Sequence, residues 1–143
     1  MNANQTPCAG DYDVRATKTA RAAYGRRVLV VDDDAEVRQT LAEVLEMDDY
    51  ETLQAGDAIA ALMILRETPD IGVLLTDLTM PGADGIALIR MARGMRPGLP
   101  AILLTGYAEK VDDASAVSTG DFHIMSKPVE SGRLIQKVAL LLA

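Results

Sequence analysis

Cysteine is nearly absent from this chain. Cys8 stands alone among 143 residues. A lone cysteine excludes an internal disulfide framework and a cysteine-rich metal centre. Histidine is equally scarce, with His123 the only one. One histidine does not make a kinase module, and no Gly-rich nucleotide-binding loop accompanies it. Uninterrupted apolar runs of about 18 residues, the mark of a membrane span, are missing. So are the basic start and long apolar core of a secretory signal, and a cytoplasmic location is expected. Positive charge is in short supply too. Lysine and arginine total 14 against 21 acidic residues, for a net charge of −7. A nucleic-acid-binding surface is therefore not the expected main feature.

Hydrophobic residues make up 49% of the chain. That fraction, at this length, suits one globular domain with one sizeable interior. Residues 1–26 begin polar and show no alternating pattern. They carry Arg15, Lys18, Arg21 and Arg26 against Asp11 and Asp13. They read as a tail, either disordered or with a short helix in the alanine-rich Arg15–Tyr24 stretch. The domain proper is expected over 27–143, which then holds all the excess negative charge. Part of that charge is expected at one site, since neighbouring carboxylates recruit a cation.

From Arg27 the pattern changes. Val28-Leu29-Val30-Val31 is a short apolar, mostly β-branched run, which predicts a strand buried on both faces. Asp34 caps a helix in which Val37, Leu41, Val44 and Leu45 recur at helical spacing. Tyr50–Ala55 reads as a second strand. Gly56-Asp57 opens a second helix bearing Ile59, Leu62, Met63 and Leu65. Ile71–Thr76 is a third strand, and Met80 to Gly85 is loop chemistry. A helix with Ile86, Leu88, Ile89 and Met91 follows, and then a fourth strand, Ala101–Leu104. A weaker helix is expected near Ala108–Ser118, then a short fifth strand, Asp121–Met125. A last helix starts near Glu130. The methionines fall mostly on apolar faces and read as core filler. His123 lies in the fifth strand or at its edge and reads as structural.

Strands alternating with helices imply an α/β fold: a parallel sheet covered on both faces, with right-handed crossovers. Ligands of such sheets bind outside the carboxyl ends of the strands. Those ends carry Asp32, Asp33 and Asp34 after strand one, Asp77 after strand three, Thr105 after strand four, and Lys127 with Pro128 after strand five. Close carboxylates repel one another unless a cation sits among them. Oxygen ligands without histidine or cysteine favour Mg²⁺. A carboxylate beside Mg²⁺ stays ionised and is able to attack phosphorus. A lysine opposite neutralises the oxygens of the transferring group, and a hydroxyl donates a hydrogen bond to them.

Each element has a plainer reading. Asp32–Asp34 suits a helix N-terminus, where the dipole favours acid. Asp77 suits a turn before Met80-Pro81. Thr105 suits a strand-end turn before Gly106, and Lys127 a solvated loop. What separates the readings is that all four groups fall at strand ends in one order.

Four stretches together resemble the receiver domain of bacterial two-component response regulators. They are Val28 to Asp34, Leu74 to Gly82, Ile102 to Gly106 and Ser126-Lys127-Pro128, and the resemblance covers about residues 27–142. It implies a flavodoxin-like five-stranded parallel sheet of order 2-1-3-4-5 with five helices. It further implies Asp77 as phosphoacceptor, and Asp33, Asp77 and the Thr79 carbonyl as Mg²⁺ ligands. Asp32 would act mainly through metal-bound water. Thr105 would close on the phosphoryl group and Lys127 would pair with it. The implied donor is a phosphohistidine on a sensor histidine kinase or histidine phosphotransfer protein. A cis peptide between Lys127 and Pro128 is implied as well. Thr79 and Tyr107 would flank the approach of the hydrolytic water, and Tyr107 has the bulk to cover the pocket.

One departure stands out. Many receivers carry an aromatic residue three positions before the lysine, and here that residue is Ile124. After Lys127 one helix remains, with no room for a DNA-binding helix-turn-helix, so output to a downstream protein target by contact is expected. Two rival readings remain. A haloacid-dehalogenase-like phosphatase would use Asp32 and Asp34, two residues apart, but would leave Asp77 without a task. A receiver-like interaction module without phosphate chemistry would have no use for the full acidic, threonine and lysine set.

Overall fold

A computed structural model describes residues 27–106 and 122–142. The elements run β1 (Arg27–Val31), α1 (Ala35–Met47), β2 (Glu51–Ala55), α2 (Ala58–Glu67), β3 (Ile71–Asp77), α3 (Gly85–Met95), β4 (Ala101–Thr105), β5 (Phe122–Ser126) and α4 (Ser131–Leu142). The five strands form one parallel sheet of order β2-β1-β3-β4-β5. This is the expected flavodoxin-like arrangement. The described residues contain four of the five expected helices. The one expected near Ala108–Ser118, the tail over 1–26 and Tyr107 lie outside the described residues.

Strand alternation builds two cores. Leu29 and Val31 join Leu74 and Leu103 beneath α2 and α3. Val28 and Val30 join Val73, Leu75, Ile102 and Leu104 beneath α1 and α4. Every residue of β3 is buried, as its central place demands. Each aliphatic side chain removed from water there contributes about 1.5–3 kcal/mol. The strand bearing Asp77 is thus clamped from both faces.

The helices start where carboxylates cap them. Asp34 accepts from the amides of Glu36 and Val37, Asp57 from that of Ala60, and Asp84 from that of Ala87. At the far end of the sheet, Arg96 ties three segments together. Its guanidinium donates to the carbonyls of Ile71 at 2.7 Å and Leu65 at 3.0 Å, and to that of Thr68.

Two expectations need correction. The buried stripe of α2 is Ala58, Ala61 and Leu65, while Ile59 and Met63 are exposed. Small alanines let the start of the helix lie close on the sheet, Leu65 completes the buried stripe, and Leu62 and Ile64 pack against its flanks. The methionines are mostly not core filler. Met80 and Met125 are buried, but Met47, Met63, Met91 and Met95 are exposed. Helical spacing alone does not say which side of an all-apolar helix faces in.

Candidate functional site

Backbone pairing carries the key residues to one edge of the sheet. Asp77 and Thr105 are the last residues of β3 and β4, rather than the first residues beyond them. The ladder outruns the apolar pattern because main-chain pairing ignores side-chain polarity. Asp77 is in register with Leu104, and Thr105 with Ser126. The amide of Leu78 still donates to Leu104 at 2.8 Å, and that of Lys127 to Thr105 at 2.9 Å. Asp32 follows β1, its amide donating to the Ala55 carbonyl at 3.2 Å. Strands about 5 Å apart thus deliver residues far separated in sequence to one place.

The side chains converge. Lys127 Nζ lies 2.9 Å from Asp77 Oδ1 and 3.4 Å from Asp32 Oδ2. One carboxylate oxygen each of Asp32, Asp33 and Asp77 lie within 4.8 Å of one another. Asp32 and Asp77 are buried, whereas Asp33 is exposed. The other Asp32 oxygen accepts from the amide of Asp34 at 2.9 Å. Thr105 is 3% exposed at the neighbouring strand end. Thr79 is exposed, two residues beyond Asp77. The Lys127–Pro128 peptide is cis, as the resemblance implied.

The charges explain one another. Burial, reinforced by Asp77, pushes the Asp32 carboxyl up, although the Asp34 amide and Lys127 pull the other way. Burial would lower the Lys127 ammonium, but the hydrogen bond to Asp77 and the charges of Asp32 and Asp77 outweigh it and raise it. Lys127 therefore stays charged through the neutral range. Three carboxylates facing one ammonium leave net negative charge in a partly buried place. An all-oxygen set with this excess fits a hard divalent cation, with the open side at Asp33.

Two supporting residues were not singled out from the sequence. The first is Gly85, which opens α3. A Cβ there would lie 2.7 Å from Leu103 Cδ1 and 3.1 Å from the Asp77 carbonyl carbon, and closer still to the Asp77 carbonyl oxygen. Only glycine lets α3 pass this close behind the end of β3. Its amide donates to Leu78 at 2.8 Å. Its signal was present: glycine is a poor helix former, yet it stands directly after the cap Asp84. The second is Arg38, whose Nη1 donates to the Asp32 carbonyl at 2.7 Å. It lies one turn past the cap Asp34, and helical side chains lean back towards the N-terminus.

Beside Lys127, α1 and the β5–α4 turn enclose an open groove of about 400 Å³. Val37, Leu41, Pro128 and Val129 give it apolar walls, and Glu36, Thr40 and Lys127 its polar positions. His123 and Ile124 are half-buried in β5. Ile124 packs with Phe122 against the core under α2 and α3. No described helix is long and apolar enough to cross a membrane.

Comparison with known proteins supplies independent findings. The response regulator receiver domain family matches residues 28–139. The C4-dicarboxylate transport transcriptional regulatory protein DctD of Rhizobium meliloti (strain 1021) is 32% identical over 76% of this chain, which spans 24% of that protein. The DNA-binding response regulator MtrA of Mycobacterium tuberculosis (strain ATCC 25618 / H37Rv) is 35% identical over 79% of this chain, which spans 49% of it. The chain thus spans half or less of the length of these two relatives. The response regulator receiver protein CpdR of Brucella abortus (strain 2308) is 31% identical, and there the match covers 82% of this chain and 97% of the relative. Among solved structures, the receiver domain of the hybrid histidine kinase CckA superposes with a TM-score of 0.71 at 33% identity. That match covers 82% of this chain and 99% of the other. A receiver domain protein from Clostridium thermocellum superposes with a TM-score of 0.75 at 29% identity, covering 81% and 93%.

Proposed function

Because the chain belongs to the response regulator receiver family, and is thereby a phosphoacceptor module rather than a conventional enzyme, we propose that Asp77 is the acceptor in a two-component phosphorelay. The observation that carries this reading is the Lys127 ammonium, held 2.9 Å from Asp77 and 3.4 Å from Asp32, with a third carboxylate alongside. Membership of this family also gives Asp77 the task that the phosphatase reading left undefined.

The chemistry follows from the placement. The donor is a phosphohistidine of a sensor histidine kinase or a histidine phosphotransfer protein. An Asp77 oxygen attacks phosphorus, the P–O bond forms, the P–N bond breaks, and the histidine nitrogen leaves with the bonding pair. Lys127 pairs with the oxygens of the group in transit, and the Thr105 hydroxyl donates to one of them once it is bound. Asp33, Asp77 and the Thr79 carbonyl would hold Mg²⁺, with Asp32 acting through bound water. When bound, the ion supplies charge neutralisation at the phosphoryl oxygens. Burial of β3 on both faces keeps Asp77 in place, so little reorganisation is needed. The groove suits the surface around the donor histidine, since Lys127 is among its lining residues beside the apolar Val37, Leu41, Pro128 and Val129.

With Ile124 where many receivers have an aromatic residue, the signal passes to a downstream protein target without a rotating ring at that position. The chain acts in the cytoplasm, where its donors are.

Intact-mass measurement after acetyl phosphate and Mg²⁺ tests the proposal. One phosphate should add to the wild type and none to Asp77→Asn, and chelator should prevent the addition. Stable labelling of Asp77→Asn at Asp32 would return the phosphatase reading to first place.

A further inference from the structure

We infer that Arg38 is a positioning residue for the acidic cluster, acting through the peptide that joins Asp32 to Asp33. This rests on the reading of Asp32, Asp33 and Asp77 as the cation site.

The need for such a residue comes from Asp33. Its carboxylate is exposed and is engaged by no hydrogen bond or ion pair from the described residues. The other two carboxylates are buried and tied to Lys127. Asp33 is therefore aimed by its backbone alone. The peptide plane entering Asp33 contains the Asp32 carbonyl, which lies past the last residue of β1 and outside the strand ladder. Without a partner this buried carbonyl would be left unsatisfied and free to tilt, and the direction of the Asp33 side chain would tilt with it.

Arg38 removes that freedom. Its Nη1 donates to the Asp32 carbonyl at 2.7 Å, while its Nε donates to Gln54 Oε1 at 3.2 Å. The guanidinium is itself anchored at both ends. Its backbone belongs to the capped first turns of α1, through the Arg38 amide and the Asp34 carbonyl at 3.0 Å. Its head is held from β2 by Gln54, whose amide donates to Gln39 at 3.2 Å, and Gln39 in turn donates to Glu43 at 3.1 Å. Gly56 lies beside the same nitrogen. A Cβ at that position would stand 3.3 Å from Nη1, so glycine leaves the guanidinium room that any side chain would crowd. A planar, always charged group with several rigidly placed donors suits two acceptors at a fixed angle. Arg38 thus ties three things together: the ligand-bearing turn, the edge strand β2 and the helix that starts from Asp34.

A merely structural bond and a positioning bond make different predictions. Groups that orient metal ligands change metal affinity by about 10–100-fold when removed. Mg²⁺ affinity is measured by calorimetric titration of the unphosphorylated chain, and melting temperature is measured in chelator. Arg38→Met should weaken Mg²⁺ binding by about tenfold or more. The rate of phosphorylation by acetyl phosphate at saturating Mg²⁺ should fall by less than about threefold, because Asp77 and Lys127 are untouched. Arg38→Lys, whose single ammonium sits on a flexible stem and lacks the planar fork, should recover part of the affinity. Gln54→Leu removes the second anchor but leaves the ligand turn chemically intact, and it should weaken Mg²⁺ binding by a smaller factor in the same direction.

Unchanged Mg²⁺ affinity in a folded Arg38→Met, whatever its melting temperature, overturns the inference. If Arg38→Met fails to fold, unchanged affinity in Gln54→Leu overturns it instead. Failure of the cation-site reading looks different: the wild type itself would then bind no Mg²⁺ in the titration.

Discussion

Two glycines of the same helix should respond oppositely to one added methyl group. Gly85 opens α3 and Gly94 lies near its end. A Cβ at Gly94 meets nothing within 4 Å, whereas one at Gly85 presses on Leu103 and on the carbonyl of Asp77. Gly94→Ala therefore gains helix propensity and loses backbone freedom in the unfolded chain, which together stabilise by about 0.5–1 kcal/mol. Gly85→Ala gains less than that, because the first helical position makes fewer demands on propensity. Against this gain stands overpacking of a clamped backbone, worth about 1–3 kcal/mol. The steric cost is the larger, and a net loss of about 1–2 kcal/mol is expected. Asp77 should shift as well. The crowded atoms are its own carbonyl group and Leu103 on the neighbouring strand, so relief requires the end of β3 to move. Displacement of a reacting group by a fraction of an ångström to one ångström slows reaction by roughly 10–100-fold. Urea unfolding of both variants and labelling kinetics with acetyl phosphate measure these effects. A Gly85→Ala protein as stable as Gly94→Ala, with wild-type labelling, would refute the close-approach reasoning.

Other outcomes follow from the charges and the backbone ties. The Asp32 pKa is raised on folding, chiefly by burial, so the folded state binds that proton more tightly than the unfolded chain does. Its ionisation then costs stability, a cost absent below the ordinary value of about 3.9 and complete once the pH exceeds the raised folded value. Asp32→Asn should accordingly melt higher than wild type in chelator at neutral pH, lose that advantage in acid, and gain less from Mg²⁺. A lower melting temperature at neutral pH would contradict it. For Lys127 the sign is reversed in practice: its raised pKa leaves the ion pair intact until the pH climbs past the ordinary lysine value of about 10.4. Labelling rates should therefore show no lysine titration between about pH 7 and 9, and Lys127→Gln should lower the rate throughout. Arg96→Ala removes three hydrogen bonds to the carbonyls of Leu65, Thr68 and Ile71 and should cost about 2–4 kcal/mol in urea. A cost below about 1 kcal/mol would show that water replaces the guanidinium there.

How much of this was legible beforehand depends on which physical signal each part uses. The sheet was readable because its inner strands are buried on both faces and so appear as unbroken apolar runs, as in Val28-Leu29-Val30-Val31 and Val73-Leu74-Leu75. The caps Asp34, Asp57 and Asp84 were equally open to reading, although only the first two were singled out, because a short acidic side chain before a helix has one main use. The strand ends were placed one residue early at Asp77 and Thr105, since backbone pairing continues where the apolar pattern stops. The inward side of α2 is not readable from its apolar residues, for a related reason. Alanine carries little hydropathic signal, yet Ala58 and Ala61 face the sheet and Ile59 and Met63 do not. The acidic, threonine and lysine set was found because chemistry at strand ends needs particular residue types. Arg38 and Gly85 escaped because their roles depend on distance, through one carbonyl each; a glycine directly after the cap Asp84 signals an unusual helix start but not the close approach behind it.

The most direct measurement is to locate the acyl phosphate itself. The chain is labelled with acetyl phosphate and Mg²⁺, reduced with borohydride, which converts a phosphorylated aspartate to homoserine, and digested for peptide sequencing by mass spectrometry. Homoserine at position 77, and at no other aspartate, is the expected result. Homoserine at Asp32 or Asp33, with position 77 unchanged, would contradict the assignment of Asp77 as the phosphoacceptor.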